Sequence, residues 1–127
     1  MPLRRYATPV IVLLLATALR LYHLDFRALW WDEGLSLFFA RLNLWDNARM
    51  AVTLADTNPP LYRMLLGCWL GMAGGSAFAA RLFSALPGVA LVALVYPLAR
   101  RLRCSRAVSL AAMALCAASP MLIYYSQ

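Results

Sequence analysis

Two adjacent carboxylates, Asp32 and Glu33, are the residues of this sequence best suited to chemistry. They follow a tryptophan pair in the motif Trp-Trp-Asp-Glu-Gly at residues 30–34. In a site partly shielded from water, such a carboxylate can act as a general base or bind a cation. A plain structural explanation stays open, because tryptophans gather at membrane interfaces and acidic residues favour the first turn of a helix.

A second polar motif, Asp-Thr-Asn-Pro-Pro-Leu-Tyr at residues 56–62, lies just before an apolar stretch. Asp and Asn favour turns and a proline pair ends a helix, so a simple turn is one interpretation. The motif also joins a polar segment to an apolar one. It can therefore place Asp56 beside Asp32.

Arginines at positions 20, 41, 63 and 81 are scattered among the apolar segments. The planar guanidinium group suits phosphate, which is the common anion at a bilayer surface. Arg20 and Arg81 lie at the ends of apolar runs and are the better candidates for binding a lipid phosphate. The single histidine and the three cysteines have no metal-binding spacing, so these residues predict no metal site.

The composition indicates a membrane protein. Of the 127 residues, 64% are hydrophobic and 13% are charged, whereas a soluble domain is about half apolar and a quarter charged. The net charge of +7 comes from twelve arginines and five acids. Because the arginines flank apolar runs, membrane topology explains them better than nucleic-acid binding, and the expected partner is lipid.

Three apolar stretches are long enough to cross a bilayer, at about residues 6–24, 82–99 and 107–125. No small-residue cleavage site follows the first, so we interpret it as an uncleaved span. The run at 60–73 contains Arg63 and is short, which favours an interfacial helix. Further interfacial helices are predicted at about 34–43 and 47–55, within an outer loop of residues 25–81.

The charges favour three spans over four. With three, Arg4, Arg5 and the four arginines of residues 100–106 are cytoplasmic, and all five acids are outside. If 60–73 also spanned, the turn with four arginines would move outside, against the positive-inside rule. The sequence therefore predicts an all-α, multi-pass membrane protein with a cytoplasmic N-terminus and its candidate active site on the extracytoplasmic side.

These motifs in this order resemble the start of the C-type glycosyltransferases (GT-C fold). More narrowly, they are similar to the dolichyl-phosphate-mannose protein mannosyltransferase and aminoarabinose transferase superfamily. The resemblance rests on five motifs, at residues 19–21, 31–34, 56–62, 81–88 and 119–127.

The resemblance implies an inverting transfer of a sugar from a polyprenyl-phosphate donor, either metal-assisted or metal-independent. A divalent metal thus stays open. Asp32 then corresponds to the usual candidate base of the family, with Glu33 beside it. Arg20, Arg81, Asp56, Asn58 and Tyr62 become candidate contacts to substrate or lipid phosphate.

Two departures from the family pattern matter. Asn58 stands where a histidine or lysine is common, which weakens a metal or phosphate role there. Family chains are several times longer, so the 127 residues look like an N-terminal portion that need not be active alone. Two alternatives therefore stay open: a small structural or regulatory membrane subunit, and a component of a lipid or sugar transporter.

Overall fold

The computed structural model describes residues 3–22, 24–26, 28–53 and 60–126, and in these ranges it contains helices and no strand. The all-α part of the predicted fold is therefore confirmed for this part of the chain. The helices are α1 (Leu3–Leu21), α2 (Trp31–Ala40), α3 (Leu44–Thr53), α4 (Pro60–Ala73), α5 (Ala77–Arg101), α6 (Arg106–Ala118) and α7 (Pro120–Tyr124).

The chain divides into two compact units. The first unit comprises residues 1–24 and 84–127, and the second comprises residues 25–83. In the first unit, Ala16 of α1, Val92 of α5, and Met113 and Ala117 of α6 form a buried apolar cluster. Their small or slender side chains allow close approach of the helices.

Outside this cluster, the first unit exposes large apolar side chains. Leu14 of α1, Leu94 of α5 and Leu115 of α6 keep 64%, 63% and 75% of their surface exposed. Of the described helices, α5 is the one that is long and apolar enough to cross a membrane. Its 25 residues extend about 37 Å at 1.5 Å each, against a hydrocarbon core of about 30 Å. The exposed apolar side chains and the length of α5 fit a membrane location.

The stretch at 107–125, which the sequence predicts as one span, contains two helices, α6 and α7. Ser119 adopts an extended conformation with φ −63° and ψ 116° between α6 and α7. Pro120, which follows it, is the first residue of α7. A proline disfavours helical geometry in the residue before it, and its own fixed φ suits the first position of a helix. The Ser-Pro pair therefore sets the break.

In the second unit, α2 packs against α4. Leu37 and Ala40 of α2 meet Leu66 and Leu70 of α4 in a buried cluster that also includes Ala79. Alongside it, the indole Nε1 of Trp69 donates a hydrogen bond to the Ala79 carbonyl at 2.8 Å. A buried tryptophan N–H needs such a partner. The contact fixes the start of α5 against α4 within this unit.

Gly67 allows the close approach of α2 and α4. A Cβ atom at this position would lie 2.5 Å from the backbone carbonyl oxygen of Ala40. Gly67→Ala should therefore destabilise the protein by about 1–3 kcal/mol, because the two helix backbones would have to move apart. Titration with a denaturing detergent, followed by circular dichroism, would measure this loss.

Gly71, one turn further along α4, provides the matched control. A Cβ there meets nothing within 4 Å. Gly71→Ala should leave stability unchanged or raise it by about 0.4–1 kcal/mol, since alanine favours the helix more than glycine does. Equal effects of the two substitutions would contradict the proposed role of Gly67.

Candidate functional site

The Trp-Trp-Asp-Glu motif forms the beginning of α2. Trp30 is the N-cap residue, with an extended backbone at φ −71° and ψ 159°. Its N–H donates a hydrogen bond to Glu33 Oε2 at 2.9 Å. Glu33 is the third residue of the helix, and this bond is one of the two that make up a capping box. Asp32 and Glu33 both lie in the first turn of α2, where the helix dipole favours negative charge.

Arg81 binds Glu33 through two parallel hydrogen bonds. Arg81 Nε donates to Oε1 at 3.0 Å and Nη2 donates to Oε2 at 2.9 Å. Nη2 also donates to the Ala28 carbonyl at 3.3 Å. The Arg81 side chain is 7% exposed and that of Glu33 is 32% exposed. A bidentate pair of this kind is both strong and directional, so it fixes the beginning of α2 against the start of α5.

This ion pair favours the charged form of Glu33. The hydrogen bond from Arg81 lowers the pKa of Glu33 below its ordinary value of 4.5. Partial burial opposes that effect, while the Trp30 N–H and the Arg81 charge add to it. Glu33 is therefore ionised at neutral pH and forms an ion pair with Arg81, and its predicted catalytic role stays a prediction.

The lowered pKa predicts a pH dependence of stability. Since the folded-state pKa of Glu33 lies below 4.5, the unfolded state binds the proton more readily than the folded state. The stabilisation is present above pH 4.5 and should be lost as the pH falls through the folded-state pKa. Unfolding midpoints measured between pH 7 and pH 3 should fall more steeply for the unaltered protein than for Glu33→Gln. Parallel curves would contradict this prediction.

Asp32 differs from its neighbour. Its side chain is exposed, and among the described residues no hydrogen bond or ion pair engages its carboxylate. Asp32 is thus exposed to solvent, whereas Glu33 is paired with Arg81. The sequence offered both as catalytic candidates, and the geometry distinguishes their surroundings.

Arg20 is fully buried in the first unit. Its Nη1 donates to the carbonyls of Ala16 at 3.2 Å and Ala117 at 3.4 Å. Gly88 provides the space for it, because a Cβ at that position would lie 3.0 Å from Arg20 Nε and 2.8 Å from Ser126 Cβ. A buried cation is costly unless polar groups surround it, and these carbonyls supply part of that environment. The predicted phosphate contact of Arg20 stays a prediction.

The remaining predicted contacts lie on or before α4. Tyr62 is in the first turns of α4, where its ring packs against Phe83 with a centroid separation of 5.7 Å. Asp56 and Asn58 lie outside the residues that the structure describes. The predicted proximity of Asp56 to Asp32 therefore stays a prediction.

Sequence reasoning missed two buried polar residues of the second unit. The Arg63 guanidinium lies over the Phe39 ring, 4.2 Å from its centroid, and Asn47 Nδ2 donates to the Phe39 carbonyl at 3.1 Å. Arg63 and Asn47 are 3% and 1% exposed. The position of Arg63 inside an apolar run was a signal for burial, whereas the sequence gave no sign that Asn47 is buried.

An open groove of about 900 Å³ also lies in the second unit, between α4 and the turn that joins α2 to α3. Among the described residues, its lining is mostly apolar, and Arg41 and Asp46 are charged. Asp32 is not among the lining residues. The groove is therefore separate from the carboxylate pair.

The described residues offer no cluster of three or more histidine, cysteine, aspartate or glutamate side chains that could hold a metal ion.

The helices and the family comparison support the same class of protein. The described chain is helical, and α5 can cross a membrane. Residues 70–127 match the family model of the dolichyl-phosphate-mannose-protein mannosyltransferases. The resemblance inferred from the sequence is confirmed over this part of the chain, and it supports a membrane glycosyltransferase. No curated protein and no solved structure matches the chain.

Proposed function

We propose that this chain contributes part of a GT-C membrane glycosyltransferase that moves a sugar from a polyprenyl-phosphate donor to an acceptor on the extracytoplasmic side. The match of residues 70–127 to the mannosyltransferase family model carries this proposal. The matched stretch contains all of α5, α6 and α7.

The sidedness rests on the distribution of charge. The acids at positions 25, 32, 33, 46 and 56 all precede α5, whereas four arginines lie between α5 and α6. Since arginine-rich short loops are retained in the cytoplasm, a membrane-spanning α5 would leave the carboxylates outside. The transfer would then take place at the outer surface.

In the proposed reaction, Asp32 is the general base. Its carboxylate takes the proton of an acceptor hydroxyl as the hydroxyl oxygen attacks the anomeric carbon of the sugar. The bond between that carbon and the phosphate oxygen breaks, the electron pair leaves with the polyprenyl phosphate, and the configuration inverts. An exposed carboxylate at a helix N-terminus can approach such an acceptor.

The Glu33–Arg81 pair would position Asp32 rather than react. Because it holds the first turn of α2 in place, it also orients the adjacent Asp32 backbone. We propose that the candidate contacts to substrate or lipid phosphate are Arg20, Arg81, Asp56, Asn58 and Tyr62. In this arrangement a phosphate would approach Arg81 beside the carboxylate that it already holds.

Sugar transfer from a lipid donor tests the function directly. Membranes containing the protein would be given polyprenyl-phosphate sugars labelled in the sugar, and the label would be followed from the organic phase into acceptor. We expect transfer above that of membranes lacking the protein. The same sugar linked to a nucleotide should give none once synthesis of lipid donor is blocked. Transfer from the nucleotide donor alone would refute the proposal.

A further inference from the structure

The groove in the second unit has room for a ligand. It lies between α4 and the turn that joins α2 to α3, and its volume of about 900 Å³ is typical of small-molecule sites. Small residues open it on the α4 side, where Gly67, Cys68 and Gly71 line it. A Cβ at Gly71 would meet nothing within 4 Å. All the described lining residues belong to the second unit, so the groove is a feature of that unit.

A buried hydrogen-bond acceptor lines this groove. Asn47 is 1% exposed, and its Nδ2 donates to the Phe39 carbonyl. Among the described residues, its Oδ1 atom receives no hydrogen bond. A buried acceptor left without a donor costs about 1–3 kcal/mol, and native proteins seldom leave one unsatisfied. Because Asn47 is a lining residue, the groove favours an occupant that carries an N–H or O–H group.

The groove also carries charges of both signs. Arg41 and Asp46 line it, and both are exposed. A Cβ at Gly75, another lining residue, would lie 3.6 Å from Arg41 Nη2, so the guanidinium group lies at the groove. Asp46 Oδ2 accepts a hydrogen bond from Asn43 Nδ2 at 2.7 Å, which holds the carboxylate at the start of α3. A purely anionic or cationic ligand would meet a charge of its own sign, whereas a zwitterion matches both.

The apolar part of the lining favours a lipid over a soluble zwitterion. Leu42, Met64 and Leu70 line the groove beside the small residues of α4. An acyl chain that covers such a surface gains about 25 cal/mol for each Å² of apolar area buried, and a soluble zwitterion lacks that gain. The chain fits a membrane location, where phospholipids are abundant.

We propose that this groove binds phosphatidylethanolamine. The lipid phosphate matches the Arg41 guanidinium through paired N–H donors. The ammonium group lies in the negative potential of Asp46 and supplies the donor that Asn47 Oδ1 lacks among the described residues. Phosphatidylcholine has the same charges but no N–H on its ammonium group, and phosphatidylglycerol has no positive charge. Asp32 does not line the groove, so this proposal does not depend on sugar transfer.

Cys68 reports on occupancy, because it is exposed and lines the groove. The whole chain in a neutral detergent would be treated with a maleimide, and modification of Cys68 and of Cys104, which lies in the first unit, would be followed by mass spectrometry. Dioctanoyl phosphatidylethanolamine at about ten times its dissociation constant should slow modification of Cys68 about tenfold, because only the empty groove reacts. Cys104 should react at an unchanged rate. Dioctanoyl phosphatidylcholine and phosphatidylglycerol at the same concentration should leave Cys68 reactive, because a site built to bind a donor rejects an analogue without it.

The inference fails if phosphatidylethanolamine gives no protection at Cys68. Equal protection by phosphatidylcholine would show that the groove does not use an N–H donor, and equal protection by phosphatidylglycerol would show that it does not recognise a zwitterion. Equal protection by glycerophosphoethanolamine would identify a soluble ligand rather than a lipid. Equal slowing at Cys104 would assign the effect to the micelle.

Arg41→Gln tests the contact to phosphate. It should weaken protection by phosphatidylethanolamine about fivefold, the loss expected for one charge near a lipid head group. Arg49→Gln is the matched control, because Arg49 is an exposed arginine of α3 that is not among the described lining residues. It should leave protection unchanged. Equal protection of Arg41→Gln and the unaltered protein would refute the contact.

Gly71→Leu separates occupancy of the groove from folding. The leucine side chain should fill the groove and abolish protection, measured against the lipid-free rate of the same variant. The unfolding temperature should not fall, because a Cβ at Gly71 meets nothing within 4 Å and leucine favours a helix more than glycine does. Ala73→Leu adds an apolar side chain at an exposed position outside the described lining and should keep full protection. Full protection of Gly71→Leu would place the lipid elsewhere and refute the inference.

Discussion

Asp32→Asn should lower the rate of sugar transfer by about 10²–10⁴-fold, the usual contribution of a positioned general base. The amide is nearly isosteric with the carboxylate but cannot accept the proton of the acceptor hydroxyl. Because Asp32 is exposed, the substitution should leave the folded structure intact. Initial rates of transfer at saturating lipid donor would measure the loss, with circular dichroism as a check on folding.

Asp46→Asn is the matched control. Asp46 is another exposed aspartate in the first turn of a helix, α3, where it accepts a hydrogen bond from Asn43 Nδ2 at 2.7 Å. Its conversion to asparagine should change the rate less than about twofold. If Asp32→Asn retains the full rate, Asp32 is not the base.

Glu33→Gln should destabilise the protein by about 2–4 kcal/mol. The substitution leaves the largely buried Arg81 guanidinium without its counter-ion, and breaking a buried pair costs about 3–5 kcal/mol. The expected loss is somewhat lower because the Glu33 side chain is 32% exposed. Detergent unfolding at pH 7 would measure it.

A double-mutant cycle measures the interaction energy between Glu33 and Arg81. Arg81→Met removes the cation and keeps a flexible apolar side chain. If Glu33 and Arg81 act as a unit, Glu33→Gln in the Arg81→Met background should cost much less than it does alone. Additive losses would show that the two residues contribute independently, and Asp32 would not depend on this pair for its position.

Helical segments were predictable because apolar runs are long and their ends are marked. The Asn-Pro-Pro and Gly-Gly-Ser segments bracket the predicted helix at 60–73, and α4 occupies Pro60–Ala73. The break between α6 and α7 at Ser119 also has a cause in the adjacent sequence, because a proline disfavours helical geometry in the residue before it. The sequence analysis still predicts 107–125 as one span, because packed membrane helices tolerate a proline.

The pairing of Glu33 with Arg81 was beyond sequence reasoning. The two residues are 48 positions apart. On charge alone, any of several arginines in the predicted outer loop could have paired with Glu33. The role of Gly67 was hidden for the same reason, because only the packed helices show that the Ala40 carbonyl occupies the space of a Cβ. Contacts between distant segments depend on tertiary packing, which a single sequence does not specify.

The sequence could, however, identify Asp32 and Glu33 as candidates from their place after two tryptophans. It could not separate their functions, because adjacent carboxylates look equivalent until their partners are known. The structure distinguishes them by their partners. The bidentate contact to Arg81 lowers the pKa of Glu33, whereas the Asp32 side chain is exposed.

Thiol labelling in intact cells would test the central claim most directly. Two variants lacking the other cysteines would be compared, one keeping Cys104 in the arginine turn and one carrying Trp31→Cys beside the carboxylates. A membrane-impermeant maleimide should label position 31 in intact cells, and should label Cys104 only after the cells are opened. Labelling of Cys104 from outside, with position 31 protected, would place the carboxylates in the cytoplasm and contradict an extracytoplasmic transferase.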